Sequence, residues 1–307
     1  MTADSTGEWF IDWATYSRAG GRLFGGQPIY PAEQLHGPYS LIAMSGYGYA
    51  YPPASVVLMT PFAPAVIGLL LWEILIVGLF LSALWAIVGK GFPDQRLQAF
   101  GIALLGTAFF YPAMQGFVAG NVNMATAGLL GWAWVGLPRP GIASGIFGVL
   151  KVFPASVAVL YGWRATAVAA LTMGAIFIVT LPIVGVDSWR DFSVAIRDSV
   201  PNCPFSVTNL SFACLAEPAI GLAAAKVLGL ILAGALVLVA AVAGPTLIGI
   251  IAVAGAIMVP ATDLHLHYWT MALVILVIAA ARIARMRRGQ PPDPAARPFA
   301  ARWGFAA

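Results

Sequence analysis

The sequence predicts an all-α fold: a polytopic transmembrane helical bundle beneath an external N-terminal segment of short interfacial helices. Two observations carry this. The composition is 60% hydrophobic and only 9% charged, with a mean hydropathy of +0.87. A soluble domain carries roughly 25% charged residues, so this chain lacks the polar surface that a soluble globule needs. The apolar residues also fall in successive runs, at about 55–89, 97–112, 121–137, 141–162, 165–184, 218–240, 244–260 and 266–282. A chain of 307 residues has room for roughly eight spans of about 20 residues each. The same composition excludes disordered, collagen-like and nucleic-acid-binding classes, which need abundant charge or a biased repeat.

Three parts follow in order. Residues 1–54 form an external or periplasmic interfacial segment. Residues 55–282 form a transmembrane domain of about seven to eight apolar segments. Residues 283–307 form a cytoplasmic basic tail. The first part is rich in Gly, Tyr and Pro. Met1 to Glu8 has neither a basic region nor an apolar run, so it does not read as a signal peptide. Trp9 to Tyr16 is short, aromatic and amphipathic, which suits the plane of the membrane interface.

Orientation follows from the basic residues. Arg282, Arg285, Arg287 and Arg288 directly follow the last apolar run, which reads as a cytoplasmic anchor. Counting back, His265, His267 and the loop 185–217 fall outside. Lys90 and Arg96 fall inside, and residues 1–54 outside. Arg139 and Arg164 both look cytoplasmic, yet only the run 141–162 separates them. Pro154 interrupts that run, removing a helix donor and clashing with the preceding turn. The expectation is a broken or re-entrant hairpin with Lys151 near its apex; the alternative puts one flanking arginine outside. Non-helical backbone at that depth needs protein or water around it. Cys203 and Cys214 share the external loop 185–217 and have no metal-ligand spacing. Both a disulfide and two buried thiols suit them.

Several residues on the external side could carry chemistry. Asp12 lies among aromatics, where partial desolvation suits a carboxylate to general-base work; the alternative is a solvated residue on an interfacial helix. Lys151 is a basic residue deep in an apolar run, a costly place that usually faces a cavity or partner. A phosphate suits its ammonium, and Glu73 is the other candidate partner. Asp263, His265 and His267 cluster at the start of the last run. They could ligate zinc but match no zincin pattern, and a histidine there can instead donate to a phosphate or sugar oxygen. Asn121 and Asn123 open a run, where amides either cap a helix or face a polar site. Asn209-Leu210-Ser211 matches a glycosylation sequon.

These pieces stand in a particular order: Asp12-x3-Tyr16, Gly26-x3-Tyr30, Tyr51-Pro52-Pro53 with Pro61, Gly120-Asn-Val-Asn123, Lys151-Val-Phe-Pro154, Asn209-Leu-Ser211 and the stretch 265–268. From about residue 12 to 282 the chain resembles glycosyltransferase family 87, whose members have the GT-C fold and use polyprenyl-phosphate sugars. The resemblance implies an inverting, metal-independent enzyme without a cofactor, multi-pass in the inner (plasma) membrane, with its site on the external side. It would move mannose or another hexose or pentose from a polyprenyl-phosphate donor to a lipid or glycan acceptor. It implies Asp12 as base and His267 as the matching family histidine. Tyr16, Tyr51, Asn121, Asn123, Lys151, Asn209, His265 and Tyr268 would bind substrate, with Lys151 at the lipid phosphate. Trp13 and Tyr49 are further aromatics for a sugar face. Asn121 stands where the family has Gln. The family also begins with a transmembrane helix before the aspartate loop, which this chain is expected to lack. Two rivals remain: a transporter or flippase of a polyprenyl-linked substrate, which suits broken helices and an intramembrane lysine, and a non-catalytic truncated member.

Overall fold

The computed structural model describes residues 10–39, 48–62, 65–200, 203, 211–261 and 266–304. Among them the fold is all-α, with an isolated bridge between Tyr39 and Ser199 and no named strand. Two short helices, α1 (Ile11–Phe24) and α2 (Pro53–Met59), precede the first long apolar helix, α3 (Ala65–Gly91). Next come α4 (Arg96–Phe109) and α5 (Tyr111–Ala119), bent 75° from each other. The bend falls where Phe110 is extended and Pro112 follows in the second position of α5; proline has no amide to continue the ladder. Then follow α6 (Asn123–Val135), α7 (Pro140–Leu150), α8 (Trp163–Asp198), α9 (Phe212–Ile220), α10 (Leu222–Ala243), α11 (Leu247–Met258), α12 (Thr270–Arg287) and α13 (Phe299–Trp303).

Four helices among the described residues are long and apolar enough to cross a membrane, or five if the bent α4–α5 pair is one span. Their outer faces are apolar: Ile67 and Ile74 on α3, Leu97 and Phe109 on α4, Leu171 and Ile178 on α8, and Leu238 on α10 are all exposed. Such faces match lipid, so the chain is a multi-pass membrane protein. The expectation of roughly eight full-length spans is corrected. The 13 residues of α6 and the 12 of α11 rise only ~20 Å and ~18 Å, short of a ~30 Å hydrocarbon core. Pro138 and Pro140 follow α6, and Pro245 and Pro260 bracket α11. Nearly all of α6 is buried by its neighbours, and so is most of α11, where Ile248 and Ile251 stay exposed.

At the centre, α6 packs between α3 and α12. Its glycines make this possible. A Cβ on Gly128 would lie 2.8 Å from the Leu79 carbonyl oxygen, and one on Gly131 would lie 3.0 Å from Ala83 Cβ. Without a hydrophobic driving force between helices in lipid, close backbone approach supplies the packing energy.

The run 141–162 folds as a hairpin. Helix α7 ends at Leu150, Lys151 is extended, and a 3-10 helix follows over Phe153–Tyr161. Tyr161 Oη donates to the Ala133 carbonyl and accepts from the Leu137 amide, so the chain has returned to the level where α7 began. The packing of α7 on α8 agrees. Cβ atoms on Gly141, Gly145 and Gly148 would meet Val168, Thr172 and Met173 in turn. The contacts advance in the same direction on both helices, so α7 and α8 run parallel, and only a return leg between them allows that. Arg139 and Arg164 therefore share one end of the bundle, and Lys151 stands at the other.

The end holding Arg139 and Arg164 also gathers Lys90, Arg96 and the arginines of α12. Arg285 and Arg288 donate to the Lys90 and Gly91 carbonyls. The described part of the tail is packed here. Asp293 accepts from Trp134 Nε1 at 2.9 Å and from the Leu247 amide at 3.2 Å, and lies 3.4 Å from Arg282. Arg302 is buried and donates to the Leu160, Ala241 and Val242 carbonyls. It thereby closes the ends of the return helix and α10, whose last carbonyls have no partner within the helix. Arg302→Ala is expected to cost roughly 2–4 kcal/mol, because three helix-end carbonyls, one of them buried, lose a charged donor. The apparent Tm in detergent should fall by several degrees.

Candidate functional site

The opposite end is built from α1, the α5–α6 turn, the hairpin apex and the start of α12. Phe10 is left-handed (φ 56°), and its amide donates to the Val118 carbonyl at 2.6 Å. This lays the first turn of α1 across the end of α5. Trp13 Nε1 secures it by donating to the Phe62 carbonyl at 3.0 Å. Helix α5 stops at Gly120, whose φ of +66° favours glycine. Trp72 Nε1 donates to the Gly120 carbonyl at 2.7 Å. The turn aims Asn121 at Asp12.

From there one polar chain crosses the site. Asn121 Nδ2 donates to Asp12 Oδ2 at 2.7 Å. Asn121 Oδ1 accepts from the Asn123 amide at 2.8 Å, so it also supports the start of α6. Asn123 Oδ1 accepts from Lys151 Nζ at 3.1 Å, and Lys151 also donates to Tyr268 Oη. The Lys151 ammonium lies 4.1 Å from the centre of the Tyr268 ring and 5.8 Å from that of Tyr51, within cation–π range. Tyr16 Oη donates to Tyr51 Oη at 2.9 Å. His267 is buried and stacks on Tyr268, with ring centres 5.1 Å apart. Thr270 Oγ1 fixes that corner through the His267 carbonyl at 2.8 Å.

Asp12, Tyr16, Tyr51, Asn121, Asn123, Lys151, His267 and Tyr268 are thus brought to one end of the bundle. Asn209 and His265 lie outside the described residues, as does Asp263. The alternative partner for Lys151 is corrected: Lys151 pairs with Asn123 and Tyr268, and neither oxygen of Glu73 has a hydrogen-bond partner among the described residues. The reading of Tyr49 as a sugar platform is also corrected. Its ring is fully buried, and its amide and hydroxyl engage Gln34 and Ser55. Tyr16 is buried too, and it reaches the site through its hydroxyl. Burial, then the neighbouring tyrosine and the Asp12 charge, push the Tyr16 hydroxyl well above its ordinary value. Burial and then the Asp12 charge do the same to Tyr51. Both remain neutral donors. Cys203 and Cys214 form a disulfide, rather than two buried thiols.

Trp72 was not expected in the site. A tryptophan beside a glutamate within an otherwise aliphatic run was the available signal, because Trp usually brings its N–H to a partner when buried.

The chemistry open to this arrangement is specific. A carboxylate held by an amide can take a proton. An ammonium about two amide links away can hold an anion. Ring faces and neutral hydroxyls lie between them.

Among known protein families, the family model described as Glycosyltransferase family 87 matches residues 49–265. Asn121, Asn123, Lys151 and Tyr51 lie within the matched segment; Asp12, Tyr16, His267 and Tyr268 lie outside it. No curated protein and no solved structure gives a significant match.

Proposed function

We propose a reaction for this chain on the premise that it belongs to glycosyltransferase family 87 and is a multi-pass membrane glycosyltransferase. It takes a sugar, mannose or another hexose or pentose, from a polyprenyl-phosphate donor and places it on a lipid or glycan acceptor. The observation that carries this reading is the polar chain from Asp12 to Lys151, which spaces a carboxylate and an ammonium through Asn121 and Asn123.

Each group then has a role. An acceptor hydroxyl has a pKa far above 7, so a base must take its proton as it attacks; Asp12 is that base. The acceptor oxygen bonds to the anomeric carbon as the bond from that carbon to the phosphate oxygen breaks. The electron pair leaves with the polyprenyl phosphate. Lys151 stabilises the charge that grows there, with His267 and the Tyr268 hydroxyl beside it. A single displacement inverts the anomeric centre. Asn121 holds Asp12 in place, and Tyr16 orients the Tyr51 hydroxyl.

The site faces the external, periplasmic side of the inner membrane in this reading. The bundle end opposite to it carries Lys90, Arg96, Arg139, Arg164 and the arginines of α12, in keeping with a cytoplasmic face. The disulfide joining Cys203 and Cys214 suits an oxidising compartment.

The test is a transfer assay in membranes from cells expressing the chain, supplied with radiolabelled polyprenyl-phosphate mannose and, in parallel, polyprenyl-phosphate pentose. Label should pass to a lipid or glycan product from one of them. No transfer from any polyprenyl-phosphate sugar, with transfer from a nucleotide sugar instead, would overturn the donor class.

A further inference from the structure

The stretch from Gly26 to Tyr30 has no side chain in the polar chain between Asp12 and Lys151, yet it is held firmly. Helix α1 closes with the Gln27 amide donating to the Arg22 carbonyl at 2.8 Å, a turn that Gly26 permits with a φ of +65°. The Arg22 side chain is 8% exposed, and its Nε donates to the Ile29 carbonyl at 2.9 Å. The chain is thereby folded back over the end of α1, and a cavity of about 310 Å³ opens there. Its walls include Arg22, Gln27, Pro28, Tyr30, Pro31 and Glu33.

This cavity stands beside the candidate site. Tyr30 Oη donates to the Tyr51 carbonyl at 2.6 Å, and Tyr51 meets Tyr16 through its hydroxyl and Lys151 through its ring. One tyrosine thus walls the cavity and holds a residue of the site. Arg22 lies ten residues beyond Asp12 on α1, ~15 Å along the helix axis.

The lining narrows the class of ligand. The volume is at the small end of ligand pockets, so the fit is to one ring. A guanidinium, a carboxamide and a carboxylate present donors and acceptors together. An acyl chain offers these groups nothing to bond, and a phosphate would meet the Glu33 carboxylate as a like charge. A sugar ring suits the whole lining: its hydroxyls both donate and accept, and its apolar face matches the proline rings.

We propose that this cavity is a distal acceptor subsite, which binds one sugar ring of a glycan chain whose terminal hydroxyl stands at Asp12. The reach of ~15 Å along α1 exceeds one ring, so the acceptor is an oligosaccharide, free or lipid-borne, rather than a bare lipid alcohol. What happens at Asp12 rests on the glycosyl-transfer reading above. The binding of sugar in the cavity does not.

The experiment uses purified full-length wild type and a Gln27→Ala, Glu33→Ala double variant in detergent. Both side chains are exposed and lie outside the polar chain; apparent Tm is the folding control, and Glu33→Gln alone replaces the pair if it does not fold. The first readout is hydrogen–deuterium exchange of the peptide spanning residues 22–35, without donor. The probes are mannotetraose, maltotetraose and arabinotetraose. At least one should slow exchange severalfold in wild type and not in the variant. The second readout is transfer of label to octyl glycosides carrying one or four sugars. In the variant, KM for the four-sugar acceptor should rise about tenfold, the scale of losing a pair of hydrogen bonds. Its kcat, and KM for the one-sugar acceptor, should not change. No slowing by any tetrasaccharide, or equal slowing in the variant, overturns the subsite. Equal KM changes for both acceptors overturn its distal place. Slowed exchange in wild type with no transfer to either acceptor keeps the sugar site and counts against the assigned reaction, so the two failures are told apart.

Discussion

Asp12→Asn is expected to lower kcat by about a hundred- to ten-thousandfold, the range of a lost general base. Asparagine is nearly isosteric, and its carbonyl oxygen can still accept from Asn121 Nδ2, the 2.7 Å bond of the native pair. The turn is therefore retained while the proton acceptor is removed. Donor KM should change little, because Asp12 meets the acceptor hydroxyl and not the phosphate. The measurement is a steady-state transfer assay on purified protein, with apparent Tm as the folding control. A variant with wild-type kcat would exclude Asp12 as the base. So would a variant whose loss lies wholly in donor KM.

Lys151→Met is the second large effect. Methionine is similar in length and apolar, so the hairpin apex stays filled while its charge is removed. A lost electrostatic stabiliser of the leaving group costs about a hundred- to a thousandfold in kcat. Donor KM should rise as well, because the phosphate already carries charge before the bond breaks. Lys151→Arg is not a conservative control: the guanidinium is planar and wider than an ammonium held between Asn123 Oδ1 and Tyr268 Oη. It too should be impaired. An unimpaired Lys151→Met protein with normal donor KM would remove Lys151 from the phosphate.

Much of this arrangement was legible in the sequence, for identifiable reasons. Each apolar run became helix because an unpaired backbone group is too costly in lipid for anything else. The hairpin at 141–162 followed from charge: two arginines on one side of a membrane cannot flank a single crossing. Lys151 stood out because an ammonium at depth demands partners. The spacing of Asn121 and Asn123 put both amides at a helix start, where backbone and side chain share donors. Other features had no local signature. Whether Lys151 pairs with Glu73 or with Asn123 depends on the rotation of α3 about its axis, and runs that are apolar all round do not encode it. The prolines beside α6 and α11 mark where each stops, but how far each is packed into protein depends on neighbours distant in sequence. The docking of Arg302 on the Leu160, Ala241 and Val242 carbonyls depends on helix ends far away in sequence. A basic tail alone reads as solvated.

The hairpin has a mechanical consequence. Its two legs differ in residue count, 11 in α7 and nine in the 3-10 helix. At 1.5 Å and 2.0 Å per residue they climb similar heights, ~16 Å and ~18 Å. Lys151 is thus held at a fixed altitude above the arginine-rich end, like the tip of a gauge standing on that face. Asp12 takes its altitude from the other face, through α1 lying across α5. The Asn121–Asn123 chain that spaces the two charged groups therefore has to take up any change in how far apart the two faces of the bundle are held. Bilayer thickness bears on that separation, since a mismatch between span length and hydrocarbon depth strains a helical bundle. A protein reconstituted in lipids of graded acyl-chain length would have its optimum where the bilayer brings the gauge tip and the α1 shelf into register.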